Sequence, residues 1–144
     1  MNASIVTASS SCRLSNEAGR ALLSVRGHHM VTDSPPVLGG LNESANPVEL
    51  MLSALAACAV FVCERAAQEW GFALTSISAT AAGDFDPRGV CGESVDPKFQ
   101  AFRVRLVLEG IDAAQAQALI EAFKTRCPVY CTLSRSAPIE ISIG

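Results

Sequence analysis

The chain has 144 residues, 49% of them hydrophobic and 17% charged, and its net charge is -3 at pH 7. This length fits one domain, residues 1–144, that can bury a core without help from disulfides or metal. The acidic balance excludes the basic surface typical of nucleic-acid binding or of attachment to an anionic membrane, and the low charged fraction predicts apolar surface that an obligate oligomer would hide.

The N-terminal segment, Met1 to Ser10, has neither a basic start nor an apolar run, so no secretory signal is predicted. The longest apolar run, Leu50 to Cys63, is shorter than the roughly 18 to 20 residues that cross a bilayer. We therefore expect a soluble, cytoplasmic protein. In that compartment its six cysteines are catalytic, metal-binding or simply buried thiols, rather than a disulfide framework.

The first part of the chain predicts a hairpin. Ala21–Val25 and His29–Val31 are predicted strands on either side of a turn at Gly27. The next segment, Asp33–Asn46, is rich in proline, glycine, asparagine and serine, which predicts a loop.

A long helix is predicted to follow this loop. Asn46 is a favourable N-cap, Pro47 suits the first helical position, and Glu49 occupies the capping-box position. The helix should run to about Trp70 and end at Gly71. Because its first half is apolar on every face, we expect that half to be surrounded by protein, including a second subunit.

The remaining elements alternate between strands and helices. Asp112 with Gln115 forms a second predicted capping box, and Pro128 suits the first turn of a new short helix. The predicted elements are the strands Thr75–Ala82, Phe102–Leu108 and Ile139–Ile143, a loop at Gly83–Asp96, and helices from Asp112 to Arg126 and from Cys127 onward. This order predicts an α+β domain with helices on one face of a largely antiparallel sheet.

Among the cysteines, Cys127 has the strongest local argument for reactivity. It precedes Pro128 at a helix start, where unpaired backbone N–H groups favour a thiolate. Cys58 lies in the middle of an apolar helix, where burial should raise its pKa. Local physics therefore predicts a reactive Cys127, whereas Cys58 needs a cation from elsewhere to become a nucleophile.

A zinc site is the alternative interpretation of the cysteine spacing. It would use Cys58, Cys63, Cys127 and Cys131, but Cys58 and Cys63 lie about 140° apart on one helix and do not converge. The adjacent histidines, His28 and His29, point to opposite faces of a strand and are a weak metal signal. Cys12 and Cys91 lie in predicted turns without an assigned partner. We therefore predict no metal and no cofactor.

Two motifs resemble the OsmC/Ohr family of osmotically inducible and organic hydroperoxide resistance proteins. The first is the stretch from Asn46-Pro47-Val48-Glu49-Leu50 to Ala56-Ala57-Cys58, and the second is Cys127-Pro128-Val129-Tyr130-Cys131-Thr132-Leu133. The upstream Asp33-Ser34-Pro35 and Gly39-Gly40 are also similar to the family's loop, and the resemblance extends from about residue 20 to the end of the chain.

The resemblance implies a single OsmC-like domain in an intertwined homodimer, with antiparallel sheets around a long central helix and with two active sites at the interface. It further implies that Cys58 reacts with an organic hydroperoxide and that Cys127 resolves the product as a disulfide, which an external dithiol reduces. The pattern is closer to an OsmC-like side branch than to the hydroperoxide-resistance branch. An apolar ligand-binding or redox-sensing protein with little peroxidase turnover is the alternative.

The residues that would activate Cys58 are less defined by the motifs. In the hydroperoxide-resistance branch a glutamate directly follows the proline, whereas here Val48 does and Glu49 comes one residue later. Since one residue rotates a helical side chain by about 100°, Glu49 is either catalytic or only a helix cap. The activating arginine is expected from the N-terminal strands, with Arg20 preferred, Arg26 second and Arg13 third.

Overall fold

The computed structural model describes residues 4–144, within which there are three α-helices and five β-strands. All strand pairs are antiparallel, as the α+β prediction expected. The chain divides into two compact units, residues 1–50 and 51–144.

The first unit contains a three-stranded antiparallel sheet. Its strands are β1 (Ser11–Leu14), β2 (Arg20–Val25) and β3 (His28–Asp33), in the order β1-β2-β3. The predicted hairpin is confirmed, and β1 is an additional strand. Arg26 and Gly27 both have positive φ angles, 50° and 84°, which is the conformation of a two-residue hairpin turn. The prediction that Arg26 belongs to a strand is therefore wrong, because the chain reverses direction there.

The start of the first helix is held by the predicted capping box. The backbone N–H of Glu49 donates to Asn46 Oδ1 at 3.0 Å, and the N–H of Asn46 donates to Glu49 Oε2 at 2.9 Å. These two bonds satisfy backbone donors that a helix leaves unpaired in its first turn. Helix α1 then runs over Pro47–Trp70 and ends at Gly71, whose φ of 66° suits a left-handed helix stop.

The second unit packs helices against a two-stranded sheet. The alternating pattern of its second strand is confirmed, since the even-numbered side chains from Phe102 to Leu108 pack on the core. The predicted box between Asp112 and Gln115 is present. The elements that follow α1 are β4 (Ser76–Asp84), β5 (Ala101–Glu109), α2 (Ala113–Arg126) and α3 (Pro128–Ser134).

The core of the second unit forms where one stripe of α1 meets α2. Within this unit the stripe, rather than every face of α1, is buried, and Phe61 is 66% exposed. Helix α1 therefore has more apolar surface than the second unit buries. The buried apolar residues are Leu55, Ala59, Cys63, Ala66, Ala67, Leu119, Ala122, Phe123 and Cys127.

Helix α1 is long and apolar enough, by length and composition alone, to cross a membrane. The core helices of soluble proteins meet the same criterion. In the single chain, 17% of the apolar window of α1 is buried, on the stripe that lies in the core of the second unit.

The prediction of a final strand is wrong for the residues that the structure describes. Residues 136–144 have no regular secondary structure, and Ile139, Ile141 and Ile143 are 86%, 91% and 101% exposed. The alternating pattern is real, but a strand also needs the edge of another strand for its backbone hydrogen bonds. No described strand pairs with this segment.

The contact between α1 and α2 makes a stability prediction. We expect Leu119→Ala to lower the free energy of unfolding by about 2 to 5 kcal/mol, because it leaves a cavity at a fully buried site. Leu41→Ala is the matched control, because Leu41 is 55% exposed, and it should change the value by less than about 0.5 kcal/mol. Urea unfolding followed by circular dichroism measures both, and equal effects would contradict the assigned core.

Candidate active site

The second unit brings the thiols of Cys58 and Cys127 together. The two thiols are close enough for an interaction between them to raise the pKa of Cys58, although they are far apart in the sequence. Cys58 lies in the middle of α1, and Cys127 lies at the junction of α2 and α3. The pair that the family resemblance implied is therefore assembled within one chain.

Cys127 is positioned by the helix junction. The proline at Pro128 disfavours a helical conformation in the residue before it, and Cys127 is accordingly extended, with φ -81° and ψ 115°. Its backbone N–H donates to the carbonyl of Phe123 at 3.0 Å, which closes α2. Its Sγ accepts a hydrogen bond of 3.2 Å from the N–H of Tyr130, which caps α3. The residue is completely buried, and its predicted position at the start of a helix is confirmed.

Cys58 is a half-buried thiol with an unfavourable environment for its thiolate. Its pKa is raised to about 11, first by burial and then by its hydrogen bond to Cys127 and the charge of Cys127. A hydrogen bond from the backbone of Val129 acts in the opposite direction but is weaker. The sequence interpretation, that burial disfavours ionisation of this thiol, is confirmed. As it stands in this unit, Cys58 is a protonated thiol at neutral pH.

The second unit contains two further cysteines that are at least half-buried, Cys63 and Cys131. Cys63 is completely buried, and its Sγ donates to the carbonyl oxygen of Leu119 at 3.5 Å. Burial, followed by the charge of Cys127, raises its pKa to about 11. Cys131 is half-buried, and its Sγ donates to the carbonyl oxygen of Lys124 at 3.5 Å. Both thiols are thus tied to helix carbonyls rather than aimed at a common point.

In the single chain, the four thiols of the zinc alternative do not converge. Among residues 4–144, no group of three or more cysteine, histidine or acidic side chains is placed to hold a metal ion. A zinc site needs four ligands that converge at about 2.0 to 2.3 Å, whereas the thiols of Cys63 and Cys131 point to separate carbonyls. Cys12 and Cys91 are exposed, and nothing in the structure assigns them a role.

Arg20, the preferred activating arginine, lies in the first unit and is held by two carboxylates. Its Nη2 donates to Asp33 Oδ2 at 2.9 Å and to Glu43 Oε2 at 2.6 Å. Asp33 also accepts the backbone N–H of Glu43 and is buried. The pKa of Arg20 is raised and that of Asp33 is lowered, each chiefly by the hydrogen bond between them. Within the described residues, Nε of Arg20 is buried without an acceptor.

The other nominated residues occupy exposed positions. Arg13 lies in β1 and Arg26 in the hairpin turn, and both are exposed. Glu49 makes the helix-capping contact described above. That contact accounts for Glu49 structurally, and a catalytic role for Arg20 or Glu49 remains a prediction.

Asp33 and Glu43 were not among the predicted site residues. A signal for Asp33 was present, because a hairpin that turns at residues 26 and 27 places Arg20 directly opposite Asp33 in the strand register. Opposite charges at facing positions of neighbouring strands attract. Glu43 follows in an irregular loop, and no periodicity could have indicated its contact with Arg20.

An apolar cavity of about 650 Å³ opens in the second unit. Leu55, three residues before Cys58 on α1, lines it, as does Tyr130, whose N–H bonds Cys127. The ring of Tyr130 packs against Phe123 with centroids 5.1 Å apart. The remaining lining residues are Phe102, Val104, Leu106, Leu108, Ala116, Ile120, Phe123, Lys124, Leu133 and Ser134.

Comparison with known proteins decides the family. The family model described as OsmC-like protein matches residues 40–142, which include both thiols of the pair. The chain belongs to the OsmC-like family. No curated protein sequence is significantly similar to this OsmC-like chain.

Solved structures share the OsmC-like fold. An OsmC-like protein from Mycoplasma pneumoniae has a TM-score of 0.76 at 14% identity, over 91% of this chain and 89% of that one. An organic hydroperoxide resistance protein from Elizabethkingia anophelis has a TM-score of 0.68 at 19% identity, over 94% and 92%. A further one, from Legionella pneumophila, has a TM-score of 0.63 at 18% identity, over 93% of each chain. At these identities the similarity shows the fold.

The ion pair between Arg20 and Asp33 predicts a pH-dependent stability. Because the folded pKa of Asp33 is lowered, its stabilising effect is present above the unfolded value of about 4 and is lost as pH falls through the folded value. We expect Asp33→Asn to lower the midpoint of urea unfolding at pH 7. When the pH falls from 7 to 3, the midpoint of the variant should fall by less than that of the parent. Glu43→Gln, at an exposed partner of the same arginine, should have the smaller effect at pH 7, and the reverse ranking would contradict the assignment.

The contact between the thiols predicts a change in reactivity. Since the hydrogen bond and charge of Cys127 raise the pKa of Cys58, Cys127→Ala should lower that pKa and accelerate alkylation of Cys58 by iodoacetamide at pH 9. Mass spectrometry of quenched samples measures the rate. Cys91→Ala, at an exposed cysteine, is the control and should leave the rate unchanged. Equal or slower alkylation in Cys127→Ala would show that the two thiols do not interact.

Proposed function

We propose that this OsmC-like protein is a thiol-dependent peroxidase that reduces organic hydroperoxides to alcohols. The observation that carries the proposal is that the thiols of Cys58 and Cys127 lie close enough to interact. Two thiols in contact, one in the middle of a helix and one at a helix junction, need little movement to form a disulfide. The names of the Elizabethkingia and Legionella proteins, which concern organic hydroperoxide resistance, support this chemistry by analogy.

The reaction we propose uses the two thiols in sequence. The Cys58 thiolate attacks the terminal oxygen of the hydroperoxide, the O–O bond breaks, and the alkoxide leaves as the alcohol after taking a proton. Cys58 becomes a sulfenic acid. The Cys127 thiol attacks its sulfur and releases water, which leaves a disulfide. An external dithiol then reduces the disulfide through a mixed-disulfide intermediate and restores both thiols.

The cavity favours an organic substrate over hydrogen peroxide. Its lining is mainly aliphatic and aromatic, and it includes Leu55, three residues before Cys58, and Tyr130, whose N–H bonds Cys127. Burying an alkyl or aryl group there contributes about 25 cal/mol for each Å² removed from water. Hydrogen peroxide has no such group.

The proposed catalyst is a homodimer whose two active sites lie at the interface, and we assign it to the cytoplasm. Large apolar side chains remain exposed on the single chain, including Phe61 of α1 and the isoleucines of the C-terminal segment. Exposed apolar surface of this kind marks interaction sites. Because the pKa of Cys58 is raised, an external cation is needed, and Arg20 is the residue we propose for that role.

The peroxidase proposal predicts the behaviour of single variants. Reduced protein should consume cumene hydroperoxide with dihydrolipoamide as the dithiol, and Cys58→Ser should abolish consumption because the nucleophile is lost. Cys127→Ser should react once and accumulate a Cys58 sulfenic acid, which dimedone traps and mass spectrometry detects. Arg20→Lys should slow the peroxide step by about tenfold or more, because lysine does not reproduce the planar guanidinium fork.

Cys91→Ser serves as the control, because that thiol is exposed and far from the pair in sequence. It should match the parent. Consumption by Cys58→Ser at the parental rate would sink the peroxidase proposal.

A second candidate function is a binding or redox-sensing protein that uses the same cavity. The raised pKa of Cys58 favours it, since a protonated thiol reacts slowly with peroxides. This candidate expects saturable binding of apolar molecules with slow turnover. Titration with a fluorescent fatty-acid analogue, alongside the peroxidase assay, separates the two: binding that persists in Cys58→Ser without measurable peroxide consumption by the parent favours the sensor.

A further inference from the structure

Cys127 is held in place by the backbones of two aromatic residues. Its N–H donates to the carbonyl of Phe123 at 3.0 Å, and its Sγ accepts the N–H of Tyr130 at 3.2 Å. The rings of these two residues pack against each other, with centroids 5.1 Å apart and planes inclined at 58°. Both residues also line the apolar cavity of the second unit. The buried thiol and the cavity therefore share the same two neighbours.

Helix α3 forms one wall of this cavity. Three of its seven residues, Tyr130, Leu133 and Ser134, line the cavity. A helix this short is unstable by itself, because even favourable sequences need about 12 to 15 residues. None of its residues is fully buried, and Val129, Tyr130 and Leu133 are only half-buried against the core. We therefore expect α3 to open locally more readily than the longer helices do.

Local opening of α3 would expose Cys127 and remove the cavity wall together. Cys127 directly precedes the helix and is completely buried while α3 is in place. A molecule that fills the cavity needs this wall, so it binds only the closed form. Mass action then lowers the fraction of open protein by the factor 1 + [L]/Kd, where [L] is the free concentration of that molecule.

The size and lining of the cavity indicate the kind of molecule that fits. Its volume of about 650 Å³ lies within the range of roughly 300 to 1,000 Å³ that is typical of small-molecule sites. The rings of Phe102, Phe123 and Tyr130 favour an aryl group, which packs well against tilted aromatic faces. The charged side chain in the lining, Lys124, is already paired with Glu121 at 3.0 Å. These features favour an uncharged aryl or alkyl compound.

We propose that the packed rings of Phe123 and Tyr130 couple the cavity to the Cys127 thiol, so that an uncharged apolar molecule in the cavity keeps this thiol closed to solvent. When the molecule leaves, α3 opens more often and Cys127 becomes accessible. Tyr130 is the positioning residue of this device, because its ring faces the cavity while its N–H holds the sulfur. Reduction by an external dithiol would then follow departure of the alcohol, a consequence that rests on the peroxidase function above.

Thiol labelling of the reduced, full-length protein tests the coupling. The probe is 2-phenyl-2-propanol, an uncharged aryl alcohol, and calorimetric titration gives its Kd. Protein with and without the probe is labelled with dilute N-ethylmaleimide for increasing times and quenched, and tandem mass spectrometry of its peptides locates the label. At ten times Kd the probe should slow labelling of Cys127 about tenfold.

Cys63 is the matched control within the same protein. It is as completely buried as Cys127, but its Sγ bonds the carbonyl of Leu119, which does not line the cavity. The probe should slow labelling of Cys63 by a smaller factor. A probe that does not bind, that binds without slowing Cys127, or that slows both thiols equally overturns the coupling.

Variants at Tyr130 separate its ring from its backbone. Tyr130→Leu keeps the N–H but loses the ring, so Cys127 should be labelled about tenfold faster and the probe should no longer protect it. Tyr130→Phe keeps the ring and should match the parent in both respects. If Tyr130→Leu accelerated labelling of Cys63 by the same factor, the ring would serve general stability and the coupling would be wrong.

Failure of the coupling and failure of the peroxidase are distinguishable. The labelling experiment uses reduced protein and no peroxide, and the comparison of parent protein with and without the probe requires no variant to fold. If the parent consumes cumene hydroperoxide and the probe leaves Cys127 unprotected, the peroxidase stands and the coupling is wrong. If the probe protects Cys127 and no peroxide is consumed, the coupling stands without the peroxidase.

Discussion

The contact between the thiols of Cys58 and Cys127 depends on how the chain passes from α2 to α3. Pro128 keeps Cys127 out of the helical conformation, and Cys127 then ends one helix through its N–H and caps the next through its sulfur. Packing of α2 on the stripe of α1 presses this junction against the middle of α1. One buried residue therefore closes the core and places a thiol beside Cys58.

The same contact has a chemical cost. Burial and the neighbouring sulfur both disfavour the thiolate of Cys58, which is the form that attacks a peroxide. Because Cys127 lies so close to Cys58, a nearby positive charge is needed to make the Cys58 thiol reactive. The two carboxylates that hold Arg20 fix the position of its guanidinium, which is consistent with the role we propose for it.

The cysteines beyond the pair differ in what they can do. Cys63 is enclosed in the core and hydrogen-bonded to a carbonyl of α2, so it serves packing, and free cysteine often does so. Cys131 is bonded in a similar way but reaches the surface. Burial rather than residue type separates these two thiols.

The sequence by itself determined the helices and the hairpin, because their signals are local. The capping boxes at Asn46 and Asp112, the stop at Gly71 and the proline at Pro128 act on neighbouring backbone groups, and each was found where it was predicted. Its motifs also indicated the family. The predicted strand at Ile139 did not form, since a strand is completed by a neighbour that its own pattern does not specify.

Only the tertiary structure decided which thiols meet and which side chains hold Arg20. Cys58 and Cys127 belong to helices far apart in the sequence, and their contact arises from the packing of α1 and α2. The tertiary structure also showed that the thiols of Cys63 and Cys131 are directed at separate carbonyls. The physical reason is the same in each case. Long-range contacts depend on the direction in which a side chain leaves a packed helix, and residue spacing along one helix does not report what a second helix brings against it.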